Sequence, residues 1–159
     1  MPDQKYYLTK EGTKNIEKEY KRLLKLRKVK SKERVPSVLH SEELNAEFVA
    51  FREDIDLLES RIEELEYILK NFELIKPPSR KERNTIHLGA TLKVELDDEI
   101  DEFTIVGTLE ANPSQKKISN ESPIGKSLLG HRVGDIVTAK TEMVNHICKI
   151  LAIKYDNKK

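Results

Sequence analysis

Residues 48–72 read FVAFREDIDLLESRIEELEYILKNF. Apolar side chains recur at Phe48, Phe51, Ile55, Leu58, Ile62, Leu65, Leu69 and Phe72, in steps of 3, 4, 3, 4, 3, 4 and 3. That is an a/d seam sustained over more than three heptads, the pattern of a helix packed along one stripe against another helix. Leu44 extends it back by one step of four. Between the seam positions the residues are almost all charged, among them Glu53, Asp54, Asp56, Glu59, Arg61, Glu63, Glu64 and Glu66.

The partner helix is sought in the first forty residues. Ile16, Tyr20 and Leu23 follow the same 4–3 rhythm, with Leu24 and Leu26 alongside. Thr9 precedes Lys10-Glu11-Gly12 and reads as the N-cap of a helix. The apolar rhythm then fades into Arg27, Lys28, Lys30 and Lys32. Pro36 disfavours helix at Val35, which places the turn between about Arg34 and Ser41.

Charge agrees with two arms lying together. The net charge is +1, but residues 1–40 hold 12 Lys/Arg against 5 Asp/Glu, and residues 41–75 hold 3 against 11. A basic segment followed by an acidic one reads as an antiparallel hairpin closed within one chain, hence a monomer, rather than a dimerising coiled coil. The second arm, from Leu44 to Phe72, spans roughly 45 Å at 1.5 Å per residue. Its tip lies at about residues 35–43. There Ser41 reads as an N-cap, with Glu42 and Glu43 in the first turn, where the helix dipole favours them. Whether they are only helix-start charges or chemistry carried at the end of an arm is left open by the pattern. His40 reads as a turn residue with no second histidine near enough to make a stable metal site. The lysine run at 14–34 reads either as a face paired with the acidic arm or as an RNA-binding stripe.

KPPSRKERNTI (76–86) breaks the helical pattern and reads as a linker. Beyond it the period becomes two. HLGATLKVEL and DEFTIVGTL read as a strand pair joined by an acidic loop at Asp97–Asp101. KKIS is a short third strand. PIGKSLLG is a short helix with Pro123 at N1 after Ser122, ending at Gly130. HRVGDIVTAK and VNHICKILAIKY are the last two strands. The expected class is α+β: residues 1–75 an antiparallel coiled-coil hairpin, 76–86 a linker, and 87–159 a small β domain with one helix on its sheet.

Charged residues make up 36% of the chain and apolar ones 37%, too polar a mixture for one thick core. The single cysteine, Cys148, sits in HICKILAI and reads as a buried thiol in a reducing compartment. No stretch approaches the ~18 apolar residues of a membrane span, and no secretory leader opens the chain, so a soluble cytoplasmic protein is expected. His131 and His146 fall at strands and read as surface or packing residues. There is no Ser/His/Asp set, CxxC pair or Gly-rich phosphate loop.

Four segments in order, LTKEG, LNAEFVAFRED, HLGATLKV and ISNESPIGKSLLGHRVGDIV, resemble the Gre family of bacterial transcript-cleavage factors. The resemblance spans nearly the whole chain. It implies an N-terminal coiled-coil hairpin and a C-terminal domain similar to FK506-binding proteins. It implies docking on bacterial RNA polymerase through residues matching Ser122, Pro123, Ile124 and Gly125, expected as an exposed turn. It implies a hairpin inserted in the polymerase secondary channel, where tip carboxylates share a transient Mg²⁺ with the polymerase and promote hydrolysis of a backtracked transcript. On this reading the protein is not itself an enzyme and binds no cofactor stably. Glu42 and Glu43 are the candidate catalytic and metal-sharing residues, and Lys25, Lys28, Lys30 and Lys32 face the nascent RNA 3′ end.

The tip departs from the family pattern. Aligned on Asn45-Ala46-Glu47, Ser41 falls where the family carries an Asp and Leu44 where it carries a Glu. Either the tip is rebuilt around Glu42 and Glu43, or the protein occupies the channel without promoting cleavage. A coiled-coil adaptor would account for the heptads but not for SPIGKSLLG. A peptidyl-prolyl isomerase wants an aromatic-lined pocket, for which this domain offers only Phe103 and Tyr155.

Overall fold

A computed structural model describes residues 5–33 and 46–156. His40, Ser41, Glu42, Glu43 and Leu44, with the turn around Pro36, lie outside the described residues. The class is α+β, as expected, and the chain divides into two compact units, residues 13–71 and residues 1–12 with 72–159.

Helix α1 (Lys10–Lys32), from Thr13 onward, and helix α2 (Ala46–Lys70) form the first unit. Four side-chain pairs join them: Glu19 with Arg61 at 2.9 Å, Tyr20 with Glu66 at 2.8 Å, Arg27 with Glu59 at 3.4 Å and Lys30 with Asp54 at 3.7 Å. From Tyr20 through Arg27 to Lys30 the partners on α2 descend from Glu66 through Glu59 to Asp54, so the helices are antiparallel. Leu23 of α1 and Leu58, Ile62 and Leu65 of α2 are buried in its seam. At the far end the buried residue is Ile68, at 1% exposure, and Leu69 is only half-buried. A helix of 3.6 residues per turn drifts about 20° per heptad from a strict seven-residue repeat, so after three heptads the seam passes to its neighbour. Phe72 is not helical either. Asn71 turns its side-chain amide onto the Tyr67 carbonyl at 2.8 Å and closes the helix before it.

The second unit holds two sheets. Strands β1 (Tyr6–Leu8) and β2 (Phe72–Leu74) pair in parallel. Both are three residues long, too short for a period-two signal, and neither is anticipated by the sequence. The main sheet runs in the order β5-β4-β3-β7-β6. Its strands are β3 (Ala90–Leu96), β4 (Glu99–Val106), β5 (Lys117–Ser119), β6 (Ile136–Lys140) and β7 (Asn145–Tyr155), with helix α3 (Pro123–Leu128) between β5 and β6. β4 and β5 are parallel and the other neighbours antiparallel.

The β3–β4 connection is tighter than the five-residue loop expected. Asp97 and Asp98 take φ of +49° and +69°, a two-residue turn that short polar side chains tolerate, and the next strand starts at Glu99. Alternating residues of the sheet enclose a core of Leu92, Val94, Phe103, Ile105, Val137 and Ile150, closed by Leu128 of α3. Each fully buried side chain of this size stabilises by about 1.5–3 kcal/mol relative to exposure. Cys148 lies in that core, and burial pushes its thiol pKa up.

Candidate functional site

The Ser122–Gly125 turn is built from its own polar atoms. The Ser122 hydroxyl donates to the Ser119 carbonyl at 2.7 Å and accepts the Gly125 N–H at 3.1 Å, so it caps α3 while tying the cap to β5. Pro123 occupies the first helical turn, where its missing N–H costs nothing. Gly125 is buried, and a Cβ there would run into the Ser119 carbonyl oxygen. Beside the turn, the Thr108 hydroxyl donates to Glu121 at 3.0 Å, and the Glu121 N–H donates to the Ser119 hydroxyl at 3.0 Å. Of the four docking candidates only Pro123 is exposed. Ser122 is half-buried, and Ile124, expected on the surface, packs against the core cluster. The reason is helical geometry: in so short a helix Ile124 and Leu128 lie four apart and face the sheet together.

The charged candidates on α1 fall into two sets. Lys14, Lys18, Lys21, Lys25, Lys28 and Lys32 recur in steps of 4, 3, 4, 3 and 4, and all six are exposed. At about 100° per residue they fall in an arc of roughly 80° opposite Leu23. The row is about 27 Å long. None of the six makes an ion pair among the described residues. The ion pairs to α2 come instead from Arg27 and Lys30, and Lys30 has 24% of its side chain exposed. Lys25, Lys28 and Lys32 therefore stand on an open cationic face, while Lys30 is turned towards the acidic arm. Lys14, Lys18 and Lys21 complete the row, and their spacing was readable in the sequence as a polar counterpart of the heptads.

Arg61 sits between Glu19 and Glu64, and its hydrogen bonds to both raise its pKa further. The Asp97 carboxylate is held below its usual range, first by the His146 ring at 2.6 Å and then by the Ile147 N–H at 3.1 Å. Lys116 does the same for Asp101, and the Arg132 backbone N–H, with His131 second, for Asp135. His146 and His131 thus each bond an aspartate on the surface. Among the described residues no three His, Cys, Asp or Glu side chains come together as a metal site. No described helix is long and apolar enough to cross a membrane.

Residues 6–74 match the family model described as transcription elongation factor, N-terminal, and residues 81–155 match the GreA/GreB C-terminal model. Transcription elongation factor GreA of Thermomicrobium roseum is 36% identical over 156 residues, spanning 97% of this chain and 100% of that one. GreA of Halalkalibacterium halodurans is 37% identical over 156 residues, spanning 96% and 98%. Among solved structures, GreA factor homolog 1 of Thermus thermophilus is 28% identical and spans 95% of this chain and 99% of that one, with a TM-score of 0.41.

Proposed function

We propose that this chain, which belongs to the GreA/GreB family of transcription elongation factors, stimulates the cleavage of backtracked RNA by bacterial RNA polymerase. The observation that carries the reading is continuous family identity, with both halves of the chain matched and GreA relatives aligned over nearly their full length. The β domain docks on the polymerase by the Ser122–Gly125 region, and the hairpin enters the secondary channel as a monomer in the cytoplasm. The chain itself carries out no hydrolysis.

Glu42 and Glu43 supply carboxylate oxygens at the tip. Oxygen donors of this kind suit Mg²⁺, and Glu42 and Glu43 would hold it jointly with groups of the polymerase. Such an ion, when bound, would supply charge neutralisation at the scissile phosphate and activation of the attacking water. The tip glutamates hold and orient, and they leave with the arm. The exposed lysine row of α1 attracts the displaced RNA 3′ end by its phosphates.

A second reading is favoured by the tip sequence. Ser41 and Leu44 stand where the family carries an Asp and a Glu, and neither side chain can act as a charged oxygen ligand. On that reading the protein occupies the channel and inhibits. A cleavage assay on a backtracked complex with the cognate polymerase separates the two. Stimulation abolished by Glu42→Ala with Glu43→Ala, with polymerase binding retained, supports the first. No stimulation, with slowed elongation, supports the second. Strong stimulation that survives the double change removes Glu42 and Glu43 from the tip chemistry and makes Glu47 the carboxylate to test.

A further inference from the structure

Residues 76–83 read KPPSRKER, with four basic residues and one acidic, a net of +3. Residues 84–159 hold 10 Lys/Arg and 11 Asp/Glu, a net of −1. The positive excess of the whole C-terminal half is therefore concentrated in eight residues.

The segment is ordered by its own backbone. The Glu82 N–H donates to the Ser79 carbonyl at 2.9 Å and the Thr85 N–H to the Glu82 carbonyl at 3.0 Å, giving consecutive turns. Glu82, the acidic member, accepts the Ser79 hydroxyl at 3.3 Å, and Arg83 donates through Nε to the Pro78 carbonyl at 3.3 Å. The far end is pinned to the domain. Thr85 bridges Arg132, the Ile86 N–H donates to the His131 carbonyl at 2.9 Å, and the Tyr155 hydroxyl donates to the Thr85 carbonyl at 2.5 Å. This pinning brings Arg132 beside the basic segment. Lys76, Arg80, Lys81 and Arg132 are exposed, and none makes an ion pair among the described residues.

We propose that Lys76, Arg80 and Lys81 of this pinned loop, with Arg132 bridged beside it, form an anion-binding surface for the phosphate backbone of duplex nucleic acid. A protein partner is the weaker fit. Specific protein interfaces centre on buried apolar and aromatic anchors, and residues 76–84 contain no apolar side chain beyond Pro77 and Pro78. Phosphate contact needs only positioned charge and tolerates water. A single strand is also the weaker fit, since its bases stack on aromatic platforms. Residues 76–87 and 130–133 contain no aromatic ring but the imidazoles of His87 and His131, and the Tyr155 hydroxyl is engaged with Thr85. The surface reads no bases, so its binding is independent of sequence. It requires neither the arm nor the tip.

The test is fluorescence anisotropy of a labelled DNA duplex titrated with the full-length protein over a salt series. The wild type is expected to bind with a Kd on the order of 10⁻⁴–10⁻⁶ M at physiological salt. Changing Lys76, Arg80, Lys81 and Arg132 together to Ser is expected to weaken binding more than tenfold at low salt. The slope of log K against log salt should flatten by about 3–4, and by about 1 for each single change. The single changes serve if the fourfold variant does not fold. Changing Lys14, Lys18, Lys21 and Lys25 to Ser should leave the contribution of the loop in place. An unchanged slope in the loop variants overturns the proposal. So does tighter binding of single-stranded RNA through the same four residues, or capture of polyglutamate in preference to the duplex.

Discussion

Glu110 holds Thr9 at two points across 101 residues of sequence, accepting its backbone N–H at 2.7 Å and its hydroxyl at 2.5 Å. Thr9 in turn accepts the Gly12 N–H at 3.0 Å and caps α1. The carboxylate occupies the space that a Cβ on residue 12 would need. Two opposite expectations follow for Gly12→Ala. Helix propensity alone favours alanine by about 1 kcal/mol. The junction disfavours it, because the new methyl displaces Glu110 from Thr9. Gly12→Ala is therefore expected to destabilise, and Glu110→Ala to cost about 1–3 kcal/mol by stripping two donors of their acceptor. Urea denaturation of both single variants and the double variant checks the shared cause: the costs should fall short of adding by about 0.5 kcal/mol or more. Strict additivity would contradict it.

The bond between Asp97 and His146 predicts an acid dependence of known sign. The folded state lowers the Asp97 pKa, chiefly through the His146 bond and next through the Ile147 N–H. A carboxylate with a depressed folded pKa contributes stability that is present above its unfolded value, about 3.9. That contribution disappears as pH falls through the lower folded value. The urea midpoint of the wild type should thus exceed that of Asp97→Asn near pH 5, with the gap closing below about pH 4. Asp101 and Asp135 are also depressed, but they titrate in both proteins and cancel from the difference. A gap independent of pH would place the role of Asp97 in the turn backbone rather than in its charge.

The hairpin was legible because Leu58, Ile62 and Leu65 repeat at a fixed spacing and their neighbours are charged. Ser122 and Pro123 were legible as a helix start because capping chemistry is local. Three features were not. Strands β1 and β2 are each three residues long and find each other from opposite ends of the hairpin sequence. Glu110 meets Thr9 through tertiary structure alone, and a lone glutamate carries no local signature. Ile124 was read as exposed because the sequence shows the start of α3 but not which side of so short a helix the sheet covers. The lysine row differs again: its 4–3 spacing was present in the letters, but only Arg27 and Lys30 bonding to α2 reveals which cations remain open.

The half-burial of Ile124 changes how the docking turn should be probed. Ile124→Asp would place a charge against the core and lose polymerase binding through unfolding. Gly125→Ala fails similarly, since its Cβ meets a backbone carbonyl that cannot swing away. Pro123→Ala is the informative change, because Pro123 is exposed. It is expected to leave the thermal midpoint of the β domain nearly unchanged while weakening polymerase binding. Ser122→Ala should cost roughly 1 kcal/mol of stability through the lost cap. Full polymerase affinity in Pro123→Ala would move the docking contact off this turn.

The lysine row makes the sharpest separation between a structural and a binding role. Lys21, Lys25 and Lys28 bond nothing on α2, so replacing all three by Glu should alter hairpin stability little, each surface change falling within about 0.5 kcal/mol. Lys30 does bond Asp54, yet such exposed pairs are worth at most about 1 kcal/mol, so Lys30→Ala should weaken the hairpin slightly. RNA binding should rank the variants in the reverse order. The triple change removes three phosphate-neutralising charges and adds three repulsive ones, and the slope of log K against log salt for a single-stranded RNA should flatten by at least about 2 (about 0.7 per phosphate contact). Lys30→Ala should leave that slope in place. If the triple variant binds RNA with the slope of the wild type, the row is a solvated face. If Lys30→Ala flattens the slope as much as the triple change, the RNA approaches from the α2 side instead.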